Sequence, residues 1–232
     1  MSDIEDSKIL SEYSLRDKWL RELFSLSSKI SSSPFFRAAL TEIESNGDRI
    51  HPGSAFDDVD SQSNICFLKC HNLGFYGNAF IRESPKRIIF LCEETFDYHL
   101  KNGEYQDALN IITHEMIHWI DLQRKFDFLE PAQLFCSELR ARMLSGQCPD
   151  YYTGRNTLFK KLFNNADQCS LDGALKSMKT VNEDYSSWKP SEELLNKCIL
   201  DVYPWKERPK TIQHAKQLLI KKYKLSEAQP PE

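Results

Sequence analysis

Thr113-His114-Glu115-Met116-Ile117-His118 sets two imidazoles and a carboxylate in a His-Glu-x-x-His spacing. On a helix, positions i and i+4 lie one above the other, so His114 and His118 can offer nitrogens to a single point. Two imidazoles so placed suit one zinc ion, whose Zn–N bonds run about 2.0–2.1 Å. Glu115 follows the first histidine but is turned by about 100° around the helix axis. It therefore stands beside such an ion as a proton acceptor and not as a ligand. A metal there would lower the pKa of a neighbouring water toward about 7, where a carboxylate can take its proton. The chemistry implied is metal-assisted peptide hydrolysis. The same spacing can also arise on any amphipathic helix, with the histidines as ordinary core or surface residues. Here Ile111, Ile112, Met116, Ile117, Trp119 and Ile120 surround it. A helix that is apolar nearly all round is buried, and buried imidazoles and carboxylates need partners that a shared metal supplies.

A catalytic zinc takes three protein ligands and keeps one position open. Asp121 lies three residues after His118 on the same face, but about 10.5 Å of helix rise separates it from His114. No glycine breaks the helix there. That distance assigns Asp121 to orienting an imidazole N–H, with a direct ligand role as the alternative. Glu138 is the better third ligand. It sits in the helical pattern Leu134 to Leu144 that follows Pro131, with 19 residues between it and His118. Thermolysin-like zinc peptidases show that spacing, and in them a glutamate of the next helix completes a His2Glu site. The alternative for Glu138 is an ion pair with Arg142, four residues on.

The combination of these pieces resembles a known family. Thr113 to His118 with Asp121, then Cys136-Ser137-Glu138-Leu139-Arg140-Ala141, then Leu144-Ser145-Gly146-Gln147-Cys148 is similar to the mitochondrial inner-membrane metalloproteases of the intermembrane space. That family matures and helps assemble the membrane sector of ATP synthase. Gly74-Phe75, Leu91-Cys92, Cys169 and Cys198 fit the same pattern, and the likeness spans roughly residues 64 to 206. Gln123 departs from it, because many members carry a cysteine shortly after the motif aspartate; one family disulfide is then absent or re-paired. The resemblance implies an α+β, zincin-like fold, with a small sheet beside the metal helix. It implies a Zn2+ cofactor held by His114, His118 and Glu138, with Glu115 catalytic. The implied location is the intermembrane space, peripheral to the mitochondrial inner membrane. The implied partners are ATP synthase membrane-sector subunits, foremost the subunit a precursor. A non-proteolytic assembly factor that keeps the metal site is the other role consistent with the family.

The elements that must position these residues follow from the rest of the chain. Its 232 residues suit one domain with extensions: a helical segment and acidic linker over 1–63, a catalytic region over 64–206, and a basic helix with a tail over 207–232. Hydrophobic residues make up 41% and mean hydropathy is −0.53. No stretch approaches the roughly 18 apolar residues of a membrane span. A net charge of −4 argues against general nucleic-acid binding. The opening Met1-Ser2-Asp3-Ile4-Glu5-Asp6 is acidic, unlike a cleavable presequence or a secretory signal. This fits the cytosol, or entry to the intermembrane space without cleavage.

Residues 14–30 predict an amphipathic helix packed on the core, stopped at Ser31-Ser32-Ser33-Pro34. Residues 46–63 predict a solvated acidic linker. Gly74 to Ile81 and Arg87 to Cys92 predict two strands, one free to pair with an extended substrate backbone. Helices are expected over Thr157 to Phe163, Gln168 to Val181 and Ser191 to Tyr203, and a basic amphipathic helix in solvent over Thr211 to Leu225. The oxyanion stabiliser is open among Tyr151, Tyr152 and His71. Seven cysteines leave at least one outside any intrachain pairing, and connectivity does not follow from spacing. Oxidation of Cys136 would help hold Glu138 at the metal.

Overall fold

The computed structural model describes residues 20, 33–50, 64–73, 79–82, 87–148, 165–207, 209 and 212–223. Within these the chain is a mostly helical α+β protein, with seven α-helices and a three-stranded sheet. The helices are α1 (Pro34–Ser45), α2 (Glu93–Asn102), α3 (Tyr105–Gln123), α4 (Pro131–Ser145), α5 (Asn165–Val181), α6 (Glu192–Leu200) and α7 (Ile212–Tyr223). The strands are β1 (Ile65–Leu68), β2 (Ala79–Arg82) and β3 (Ile88–Cys92).

The metal-motif helix α3 forms the middle of the core. Fourteen of its residues are buried, from Ala108 through Leu122 with Asn110 excepted. Helix α1 opens with Pro34 at its first turn and buries Phe35, Phe36, Leu40 and Ile43 in the same apolar cluster as Ile112, Met116 and Ile120. Asp48, just after α1, ties the two helices together. Its Oδ2 accepts hydrogen bonds from Trp119 Nε1 (2.8 Å) and Gln123 Nε2 (2.8 Å), and from Arg87 Nη1 (2.9 Å). Gln123 Oε1 also accepts from Asn46 Nδ2 at 3.2 Å. At the position where the resemblance expects a nearby cysteine, polar bonds therefore join the end of α3 to the end of α1.

The sheet order is β1-β3-β2. β3 is central, parallel to β1 and antiparallel to β2. β1 had no counterpart among the expected strands. Its sequence, Ile-Cys-Phe-Leu, is a short apolar run without alternation, and periodicity alone does not reveal a buried strand of that kind. β2 begins at Ala79, so only the last part of the expected Gly74–Ile81 strand is seen; residues 74–78 lie outside the described set. Among the described residues β2 pairs with β3 alone and so forms an edge of the sheet.

Two other expectations change. The helix expected over Ser191–Tyr203 stops at Leu200, with Asp201 as its C-cap, because Asp201 through Tyr203 turn to meet arginines described below. The C-terminal helix α7 does not stand in solvent. Ala215 and Leu219, one turn apart, are fully buried, and Lys222 Nζ donates to Glu42 Oε2 (2.6 Å) on α1. Tyr203 and Tyr223 hydroxyls also donate to Glu42. A buried carboxylate so enclosed gives α7 a specific seat. The expected helices over 14–30 and Thr157–Phe163 lie outside the described residues, except Leu20, which is helical and buried.

Three disulfides occur: Cys70–Cys92, Cys136–Cys198 and Cys148–Cys169. Buried Cys66 is in none of them. Cys136–Cys198 joins α4 to α6, and Cys148–Cys169 joins the exit of α4 to α5. Helix α4, which carries Glu138, is thus fastened from two sides. Among the described residues, no helix is long and apolar enough to cross a membrane.

Candidate metal centre

Helix α4 begins with local signals that fix where Glu138 falls. Pro131 occupies the first helical position, the Glu130 side chain accepts from the Gln133 N–H at 2.8 Å, and Gly146 ends the helix at φ 83°. A left-handed C-cap favours glycine, and the site is tight as well, since a Cβ there would stand 3.1 Å from Asn110 Oδ1 on α3. Four turns of helix then run antiparallel to α3, turning Glu138 toward the two histidines.

His114 Nε2 and His118 Nε2 lie 3.1 Å apart. Glu138 closes the group, with Oε2 at 3.5 Å from His114 Nε2 and Oε1 at 3.5 Å from His118 Nε2. One ligand atom from each lies within 4.8 Å of the others, and all three side chains are buried. Glu115 is buried beside them and faces the same cleft. The alternative ion pair between Glu138 and Arg142 does not form. Among the described residues Arg142 makes no ion pair, and its Nη2 lies 3.3 Å from Ser177 Oγ on α5.

Asp121 is not part of this convergence. Its Oδ2 accepts a hydrogen bond from Ser137 Oγ at 2.8 Å, and Ser137 Oγ in turn lies 2.8 Å from His118 Nδ1. A hydroxyl has one proton. Ser137 spends it on the carboxylate, so Nδ1–H of His118 donates to Ser137. The Nε2 lone pair of His118 is thereby aimed at His114 and Glu138. Asp121 bears on an imidazole N–H, but through Ser137 and not directly. The one signal for Ser137 is its place next to Glu138, as a small polar residue sixteen positions after Asp121.

The electrostatics favour a bound cation. Burial pulls the pKa of His118 down to about 4, against the pull of Glu138, so its ring is neutral and ready to ligate at neutral pH. Burial alone would raise Glu138, but His118 and His114 outweigh it and hold its carboxyl at about 2. Burial, then repulsion from Glu138, pushes Glu115 well above the usual carboxylate range. Asp121 is raised by burial to about 6, with Arg140 and Ser137 opposing. Glu138 Oε2 and His114 Nδ1 are buried without a hydrogen-bond partner. A carboxylate oxygen and two imidazole nitrogens facing one point, with the oxygen unpartnered, fit a divalent metal of the zinc type.

Removing the serine link is expected to weaken metal binding without harming the helix. Ser137→Ala should lower zinc affinity by about 10–100-fold, the usual effect of losing such an outer partner. A chelator-competition titration reads it, with helical content as the folding control. Unchanged affinity would count against the Asp121–Ser137–His118 relay.

The three donors and Glu115 lie in a cleft of about 470 Å3. Ala79, Phe80 and Ile81 of the edge strand β2 form one wall, and α5 forms another. Of the suggested oxyanion groups, His71 is exposed with its backbone bonded to Glu94 and is not in the cleft wall. Tyr151 and Tyr152 lie outside the described residues. A second group, His99, Glu104 and Asp107, is less buried, and His99 Nδ1 there lies 2.8 Å from Glu104.

The model of the Peptidase M76 family matches residues 25–206. Among curated proteins, the mitochondrial inner membrane protease atp23 of Neurospora crassa is 30% identical over 133 residues, which is 53% of this chain and 43% of that protein. Its namesake in Sclerotinia sclerotiorum is 28% identical over 53% of this chain and 50% of its own length. That of Candida glabrata is 28% identical over 53% and 54%. The chain spans about half the length of the curated relatives it matches. No solved structure matches.

Proposed function

The chain belongs to the Peptidase M76 family, and from that premise we propose that it is a zinc-dependent endopeptidase with a zincin-like active site. One observation carries the reading: two imidazoles and a carboxylate from α3 and α4 converge, with Glu115 beside them, in a cleft walled by β2. His114, His118 and Glu138 would hold the metal. Zinc, when bound, would polarise a substrate carbonyl and acidify water. The chain's own residues do the rest. β2, an edge of the sheet among the described residues, would pair with an extended peptide and lay it along the cleft. Glu115, whose burial raises its proton affinity, takes a proton from the attacking water on its carboxylate. It then delivers that proton to the leaving amide nitrogen. The Asp121–Ser137 relay keeps the His118 ring in one tautomer throughout.

The relatives are named as proteases of the mitochondrial inner membrane. We extend that location to this chain, on the intermembrane-space side and peripheral to the bilayer. The three disulfides support an oxidising compartment. The proposed substrate is the precursor of ATP synthase subunit a, or another membrane-sector subunit.

The test is a metal-and-cleavage experiment on the purified chain. About one zinc per chain is expected from a three-donor site. Cleavage of a subunit a precursor should stop on treatment with a strong chelator and return on adding zinc. Stoichiometric zinc with no cleavage of any membrane-sector precursor would favour the assembly role instead. Well-folded protein that binds no zinc would end the proposal.

A further inference from the structure

The cleft holds charge beyond the metal group. Its charged lining, besides the histidines, consists of Glu115, Glu138, Arg142 and Lys176. Among the described residues neither Arg142 nor Lys176 makes an ion pair. A guanidinium carries five N–H donors. Arg142 has one hydrogen-bond partner among the described residues, Ser177 Oγ at 3.3 Å, and its Nε is buried without any. Arg142 is partly buried, with Glu115 near enough to feel its charge but no carboxylate paired to it among the described residues. Lys176 stands exposed at the cleft mouth. A partly buried guanidinium is best satisfied by a carboxylate that a ligand supplies. With a divalent cation on Glu138, the charges lining the cleft sum to an excess of positive.

The position of Arg142 depends on a second residue. Arg142 is one turn beyond Glu138 on α4, and its side chain crosses Gly173 of α5. A Cβ on Gly173 would stand 2.9 Å from Arg142 Nε, 3.0 Å from Cδ and 3.3 Å from Cζ. Glycine inside a helix is costly relative to alanine. At Gly173 it leaves a channel through which the guanidinium reaches the cleft. Lys176 and Ser177 follow it one turn later on the same helix.

We infer that Arg142 and Lys176 form a subsite that receives a carboxylate of the bound peptide next to the metal group, with Gly173 holding the door open for Arg142. The inference rests on the peptidase reading. Planar, bidentate recognition by arginine is the strongest way such a carboxylate can be held. The carboxylate belongs to an acidic side chain near the scissile bond or to a free C-terminus.

Binding of matched fluorescent peptides to the zinc-loaded Glu115→Gln protein tests this without relying on turnover. The peptides differ by Glu, Gln or Lys at one position, each with a free or amidated C-terminus. The Glu peptide should bind roughly tenfold more tightly than the Gln peptide, about the effect of one charge-assisted pair. Arg142→Gln should bring that ratio close to one. Gly173→Ala should do the same with no change in charge, by displacing the guanidinium. Arg142→Glu should turn the preference toward the Lys peptide. A preference for the free acid over the amide, whatever the side chain, would assign the carboxylate to a C-terminus. Equal binding of all the peptides overturns the subsite. Discrimination without cleavage by the native protein would sink the hydrolytic reading and leave the subsite standing; cleavage without discrimination would do the reverse.

Discussion

Glu115→Gln is expected to bind metal and fold as the native chain does, and to lose peptide hydrolysis by about 10²–10⁴-fold, the usual worth of a positioned general base. The substitution keeps the side chain's shape and removes its ability to take a proton. Glu115 is not among the three converging donors, so metal content should not change. Stability should hold or rise slightly. Burial is what raises the Glu115 pKa, which means that its ionised form is disfavoured in the fold, and a neutral amide relieves that. The loss should appear in kcat, with peptide binding retained. Elemental analysis, thermal unfolding and a cleavage assay together decide it. Undiminished turnover in a zinc-loaded variant would remove Glu115 from the mechanism.

The largest stability effect is expected at Arg140. This side chain is completely buried, yet it carries a full charge. Its Nη2 lies 3.2 Å from Asp121 Oδ1 and donates to the Tyr203 carbonyl at 2.6 Å; its Nη1 lies 2.7 Å from Asp201 Oδ2. Arg124 joins the same two aspartates, at 3.4 Å and 2.8 Å. The cluster clamps the end of α3, the middle of α4 and the turn after α6. Arg140→Ala would leave Asp121 buried with little more than Ser137 and a distant Arg124. Breaking one side of such a buried pair costs about 3–5 kcal/mol. That is a large part of the roughly 5–15 kcal/mol by which domains are stable. Arg140→Lys keeps the charge but cannot span two aspartates and a carbonyl, so an intermediate loss is expected. Denaturant unfolding of both variants reads the order. A loss below about 1 kcal/mol for the alanine variant, the level of a surface ion pair, would show the cluster to be incidental.

The cluster also shows why part of this protein could be read from its residues and part could not. His114, Glu115 and His118 were legible because their relation is local: one helical turn fixes it, and Ile111 to Ile120 announce that the helix is buried. Glu138 was legible through its spacing and the helix signals at Pro131. The strands were only partly legible. β3 is five apolar residues rich in β-branched and aromatic side chains, whereas β1 is four residues whose role comes from lying beside β3. α7 read as a solvated helix, because its seat is a glutamate 180 residues earlier in the chain.

By itself, then, the sequence determined which groups stand at the centre: two histidines one helical turn apart, a glutamate beside them, and a second glutamate on the next helix that converges on both imidazoles. The tertiary structure alone decided what surrounds them. It turned Asp121 away from the His114–His118–Glu138 group and onto Ser137, paired six of seven cysteines, left Arg142 facing the cleft instead of Glu138, and set β2 along the opening. Helical periodicity repeats every 3.6 residues and can be counted. Which helix faces meet depends on burying apolar surface over the whole chain at once, and no local spacing encodes that.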